Sequence, residues 1–184
     1  MSAIYLGVDT ATLHLALALC SAQGEVLASF RERVEREHAS RFVPELAALF
    51  TRASADKRAL AGICVGLGPG SYTGLRVGLA SALGLSRGLG IPLGGRTTLE
   101  AIAAEVLEPD QRGTVALDAR RGNVYASLCY KDASGRVTTL TPPHKCSRDD
   151  LGPGLYFENE APDAGYLARC AAEGETQTPS AIYL

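Results

Sequence analysis

Tryptophan is absent, methionine occurs once, and aromatic residues make up 6% of the chain, so aliphatic side chains must fill most of the core. There are three histidines; no two lie four residues apart, and no CxxC pair occurs, which excludes the common helical zinc and redox motifs. The five cysteines, Cys20, Cys64, Cys129, Cys146 and Cys170, are odd in number and lie mostly in apolar runs, as reduced, buried thiols do. Positive charge is not in excess: 18 basic against 20 acidic side chains leave a net charge of −2. Nucleic acid is therefore not expected as the ligand of this chain by itself. No uncharged apolar run reaches the ~20 residues of a membrane span, and the N-terminus lacks the basic start and apolar core of a signal peptide. A cytoplasmic chain with no membrane attachment is expected.

What is present is enough for a proper core: 184 residues, 46% of them hydrophobic, with a mean hydropathy of +0.05. Three strands are expected over Ile4–Val8, Leu13–Cys20 and Glu25–Val34. Alternation along Leu13, Leu15, Leu17 and Leu19 gives the second of them one strongly buried face. A helix follows over Ser40–Ala53, with Phe42, Val43, Leu46, Leu49 and Phe50 on one side. Pro44 fits only its first turn, which puts the start at Ser40. Then come a buried strand over Gly62–Gly66, a glycine loop, a helix over Thr73–Arg87, a short strand over Ile91–Gly94, and a helix opened by a Thr97/Glu100 capping box. The hairpin around Asp9 has a counterpart around Asp118, 109 residues on, each strand pair ending in Leu-Cys, and Arg136–Leu140 supplies a third strand again. A repeated βββ unit is the reading this supports.

Two loops bear on chemistry. In Asp9-Thr10-Ala11-Thr12 the carboxylate either orients a metal-bound water beside phosphate oxygens or closes an Asx-turn, and the same pair of readings holds for Asp118. The segment Gly66–Gly74 stands between a strand and a helix, where free N–H groups meet an anion. It has neither the lysine of a P-loop nor the spacing of a dinucleotide fingerprint. Gly68, Gly70 and Ser71 would line such a loop, and Arg120, beside Arg121, either holds an anion or is a solvated turn residue. The helix that follows carries two small-residue stripes, Gly74/Gly78/Ala82 and Ala80/Gly84/Gly88, which suit close approach of another backbone. No nucleophile–base pair or metal-ligand set is evident around His14, His38 or His144, and no catalytic or metal site is assigned.

With Asp9-Thr10-Ala11-Thr12, GPGSYTGLRVG at Gly68–Gly78, DARRGNVY at Asp118–Tyr125 and a closing Pro179-x-x-x-Tyr183-Leu184, the chain closely resembles the TsaB (YeaZ) family over essentially its whole length. It departs at Tyr72, where the family usually has Phe, at Asn123, where Glu is usual, and over 152–165. The resemblance implies an α/β, actin-like ATPase (ASKHA, ribonuclease H-like) fold of duplicated βββαβα units, an N-terminal lobe over 1–110 and an abbreviated C-terminal lobe over 111–184. It implies a non-catalytic scaffold that binds and activates TsaD in forming threonylcarbamoyladenosine at the tRNA adenosine 3′ of the anticodon. TsaE, an ATPase, is the further partner, tRNA is met through the complex, and a homodimer is expected of the isolated chain. The partner face would comprise Phe42, Leu46, Leu49 and Phe50 with Leu75, Gly78, Leu79, Ala82 and Leu83. Asp9, Thr10, Gly68, Gly70, Ser71, Asp118 and Arg120 would be a vestigial phosphate loop. No cofactor would be held tightly by this chain alone, with ATP or ADP at the complex interface left open. The partner's metal-binding HxxxH is not met here, since Phe42 stands four residues after His38. The rival readings are a small actin-like ATPase or kinase using Asp9 and Asp118, and a glycoprotease-like peptidase.

Overall fold

Large and small side chains alternate along β2 (His14–Ser21): Leu15, Leu17 and Leu19 against Ala16, Ala18 and Cys20, every one fully buried. Such a strand needs cover on both faces, and the computed structural model, which describes residues 2–184, shows what supplies it. The leucines meet α1 (His38–Arg52) in a core that α2 (Tyr72–Leu89) shares through β4 and β1, while the alanines lie under α4 (Ala164–Glu173). β2 is the second strand of a five-stranded sheet with β1 (Ile4–Asp9), β3 (Val26–Arg33), β4 (Leu60–Gly66) and β5 (Leu93–Arg96), ordered β3-β2-β1-β4-β5. β2 runs antiparallel to both β1 and β3, while β4 runs parallel to β1 and β5 parallel to β4.

A second sheet repeats this order without the fifth strand. β6 (Gln111–Asp118) lies between β7 (Asn123–Lys131) and the parallel β10 (Tyr156–Glu158), and β7 carries β8 (Val137–Thr139) and β9 (His144–Ser147) along its other edge. The duplicated α/β architecture is thus present, with the second copy reduced. The copies are not in strict register. Asp9 faces Ala16 but Asp118 faces Val124, so the second hairpin is one residue shorter, and Cys129 is not the counterpart of Cys20. α3 (Thr98–Val106) packs on the second sheet and α4 on the first, and the two helices touch between the sheets. α4 has plain signals in the sequence, an Asp163 N-cap bonded to Gly165 N and Gly174 in the left-handed region at its end, yet the expectations above omitted it.

Two local expectations change. α1 starts at His38 and not at Ser40, so Pro44 sits in its second turn, on the exposed side where water can satisfy the Ser40 carbonyl. His38 is buried and its Nε2 lies 3.2 Å from the His14 carbonyl oxygen, tying the helix start to β2. The Thr97/Glu100 capping box forms as the spacing predicts, and four of the five thiols are buried and all are free. Among the described residues no helix is long and apolar enough to cross a membrane.

Candidate functional site

Asp9 ends β1 and is wholly buried. Its Oδ1 accepts from Ala11 N at 2.8 Å, which is the Asx-turn, and its Oδ2 accepts from Thr98 Oγ1 at 2.8 Å, at the start of α3. A Cβ on Gly66 would overlap Oδ2, so β4 passes against the carboxylate with no room for a ligand. Thr10 Oγ1 donates to the Gly74 carbonyl at 2.7 Å, and any side chain at Gly74 or Gly78 would strike Thr10. The first small stripe of α2 therefore exists to seat that helix on the β1–β2 turn of its own chain.

The glycine loop is equally engaged. Gly68 N donates to Thr98 Oγ1, Ser71 N to the Ala11 carbonyl, and Gly74 N to the Ser71 side chain that caps α2. A Cβ at Gly70 would overlap the Ala11 carbonyl. Three of the loop's N–H groups, those of Gly68, Ser71 and Gly74, are thus bonded within the chain. Asp118 lies on an exposed turn, accepts from Arg120 N at 3.1 Å and sits 3.8 Å from Arg148, while its own N–H donates to Asn159. Both aspartates close Asx-turns, one sealed and one solvated. Among the described residues no group of three or more His, Cys, Asp or Glu is placed to hold a metal ion.

Burial without a charge partner pushes the Asp9 carboxyl up to about 6, against the smaller opposing pull of its bonds from Ala11 N and Thr98. A folded-state value above the ordinary 3.8 means that the native state holds this proton longer than the unfolded chain does. The stability it contributes is complete below about pH 4 and is lost as pH rises towards 6, a change of about 3 kcal/mol for two pKa units. Asp9→Asn is expected to remove that slope: the difference in urea unfolding free energy between variant and parent should swing in the variant's favour from pH 4 to pH 6.5 and then level. A difference independent of pH would show that Asp9 is not sealed. Subtraction cancels His14, which burial lowers.

The proposed partner face requires correction. Phe42, Leu46 and Leu49 of α1, and Leu75, Gly78 and Ala82 of α2, are buried in the chain's own structure, because the apolar stripe of each helix is what holds it on the sheet. Phe50 and Leu79 are half-buried against that core, and of the expected set Leu83 alone is exposed. What faces outward instead is Val43, 69% exposed, with Pro44 and Ala47 on α1, and Leu83 and Leu89, 39% and 40% exposed, on α2. The second small stripe of α2 lies here, and a Cβ at Gly84 or Gly88 would meet nothing.

The family model described as TsaD: tRNA N6-adenosine threonylcarbamoyltransferase matches residues 25–158. The TsaB proteins of Bacillus subtilis and Escherichia coli are 33% and 35% identical to the chain over 137 and 132 residues, covering 74% and 71% of it. The chain belongs to the TsaB (YeaZ) family. It spans 59% and 56% of the length of those two TsaB proteins. An uncharacterised protein of Mycobacterium tuberculosis is 32% identical over 179 residues, covering 96% of this chain and 82% of that protein. Among solved structures, YeaZ from Pseudomonas aeruginosa superposes with a TM-score of 0.85 at 21% identity, covering 99% of this chain and 100% of that one, so the TsaB family's fold extends over the whole chain.

Proposed function

We propose that the chain is a non-catalytic scaffold subunit that binds and activates a TsaD-type transferase in forming threonylcarbamoyladenosine on tRNA. It works in the cytoplasm with the TsaE ATPase and meets tRNA through the assembled complex. The curated relatives at 33% and 35% identity bear the name tRNA threonylcarbamoyladenosine biosynthesis protein TsaB, which supports the pathway. The observation that carries the scaffold role is the outward strip on α1 and α2. Glycine in a helix interior costs about 1 kcal/mol relative to alanine. Gly74 and Gly78 have a reason inside the chain, but Gly84 and Gly88 have none. With exposed Leu83 and Leu89 on the same helix, and exposed Val43 on α1, they give the outward side of these helices apolar residues and gaps suited to the close approach of a partner helix.

The sealed Asp9, and a glycine loop that spends the N–H groups of Gly68, Ser71 and Gly74 within the chain, support the absence of chemistry by this chain alone, and favour ATP or ADP being held jointly with a partner over its being held here. Leu83→Glu is expected to weaken assembly with TsaD by roughly thirtyfold or more, as a charge in a central apolar contact does, with unfolding free energy within about 0.5 kcal/mol of the parent. Size-exclusion chromatography of the mixed subunits reads the result, and a complex that survives the change ends this reading. Leu83 is the better position than Leu79, whose half-burial against the core would confuse folding with binding.

A further inference from the structure

A cleft of about 300 Å³ opens where the glycine loop meets the second sheet, lined by Pro69, Gly70, Tyr72, Tyr125, Ile182 and Tyr183, with Leu184 at its edge. The segment 176–184 runs back to build one wall: Gln177 pairs with Gly95, Ile182 N donates to the Leu67 carbonyl, and the Tyr183 ring packs at 5.3 Å on Tyr72. Tyr125 reaches across from β7 and donates to the Leu184 carbonyl at 3.3 Å. In a chain with seven tyrosines and no tryptophan, three tyrosines converge on one opening.

Cations frame it. The Arg76 guanidinium stands 4.0 Å over the Tyr72 ring and Lys145 stands 6.0 Å over Tyr125. Arg120 and Arg121, both exposed and with left-handed backbone angles, form the turn that leads into β7, the strand that carries Tyr125. None of these four takes part in an ion pair among the described residues. In a chain with net charge −2, these cations lie on or near the exposed Tyr72 and the half-buried Tyr125 without an acidic partner.

We propose that this cleft takes an unpaired nucleotide of an RNA loop, its base stacked among Tyr72, Tyr125 and Tyr183 and its flanking phosphates met by Arg76, Lys145 and the Arg120–Arg121 turn. The proposal rests on the reading that the chain serves tRNA modification, adds where it touches the RNA, and sets a local cationic cleft against the expectation from net charge that this chain by itself does not bind nucleic acid. Aromatic platforms with cationic surroundings are how proteins hold splayed single-stranded bases. The volume is at the lower end of small-ligand clefts, so it suits one base with its sugar and not a duplex. The cations favour this occupant over a proline-rich peptide, which would need the rings but not the charge. Beside the cleft, Gly68, Ser71 and Gly74 spend their N–H groups within the chain, which disfavours a triphosphate as the occupant.

The test is an NMR and fluorescence-anisotropy titration of the full chain with an RNA hairpin carrying an unpaired loop, a fully paired duplex of the same composition, a proline-rich peptide and ATP. The hairpin is expected to shift the amides of Gly70, Tyr72 and Tyr125 and to bind at least tenfold more tightly than the duplex. Tyr72→Ala and Tyr125→Ala should each weaken it roughly tenfold, the size of about 1.4 kcal/mol of base stacking, and Tyr72→Phe should restore it. Equal binding of duplex and hairpin, shifts that map elsewhere, or occupation of the cleft by the peptide or ATP would overturn the proposal. Heterodimer formation with TsaD is scored separately: if it persists while the cleft ignores RNA, this inference alone fails, and if Leu83→Glu leaves the heterodimer intact, the scaffold reading fails instead.

Discussion

Gly7→Val is expected to destabilise the chain by more than about 4 kcal/mol, enough to leave little folded protein. A Cβ on Gly7 would overlap the Ala164 carbonyl oxygen and come 2.6 Å from Ala168 N, both backbone atoms of α4 that cannot step aside as a flexible side chain would. Gly7 lies on β1 among Ala16, Ala18 and Ala164, where small residues let α4 lie almost on the strands. Valine would lift the helix and pull Tyr166, Leu167 and Cys170 out of the core between the sheets. Gly88→Ala is the matched control, since a Cβ there meets nothing. It should be neutral or stabilising by up to about 1 kcal/mol. Urea unfolding followed by circular dichroism reads both, and a Gly7→Val protein with an unchanged midpoint would mean that α4 does not rest on β1.

Glu100→Ala should cost about 3–5 kcal/mol, the range for removing one partner of a buried ion pair. Glu100 is almost fully buried and its carboxylate serves three residues at once. Its Oε2 accepts from Thr97 N at 2.8 Å, while its Oε1 accepts from Thr139 Oγ1 at 2.9 Å and lies 3.2 Å from Arg96 Nη2. Arg96 also donates to the Val137 carbonyl and to the Tyr166 hydroxyl, so one cluster joins β5, α3, β8 and α4. Burial would lower the Arg96 pKa, yet the Glu100 carboxylate and Tyr166 hydroxyl together raise it. Without Glu100 the guanidinium is left charged in a place with little water. The double change Arg96→Met with Glu100→Leu should recover much of the loss, because it removes the stranded charge. Equal damage from single and double variants would show that the capping bonds, and not the charge pair, carry the effect.

Much of the architecture is legible in short-range pattern. Alternation gives β1 and β2, the Thr97/Glu100 spacing gives the start of α3, and a glycine-rich string between an apolar strand and a helix gives the tight turn into α2. The resemblance to TsaB rests on strings such as GPGSYTGLRVG and DARRGNVY that extend over most of the chain. Pattern was less reliable where it met a local rule with an exception, as at Pro44, which an exposed helix face tolerates one turn deeper than expected.

Sequence periodicity determined which side of α1 and α2 is apolar, and the protein's own sheet then consumed that side. Only the packed chain shows that Phe42, Leu46, Leu49, Leu75 and Ala82 are core and that Val43, Leu83 and the idle glycines face outward. The same holds for Asp9, whose fate depends on Thr98, 89 residues away, and for the cleft that gathers Tyr72, Tyr125 and Tyr183 from three distant segments. A helical stripe or a hairpin aspartate is fixed by neighbours within a few positions along the chain. What covers the stripe and what fills the turn are set by contacts between segments far apart in sequence, and these form only when the whole chain closes on itself.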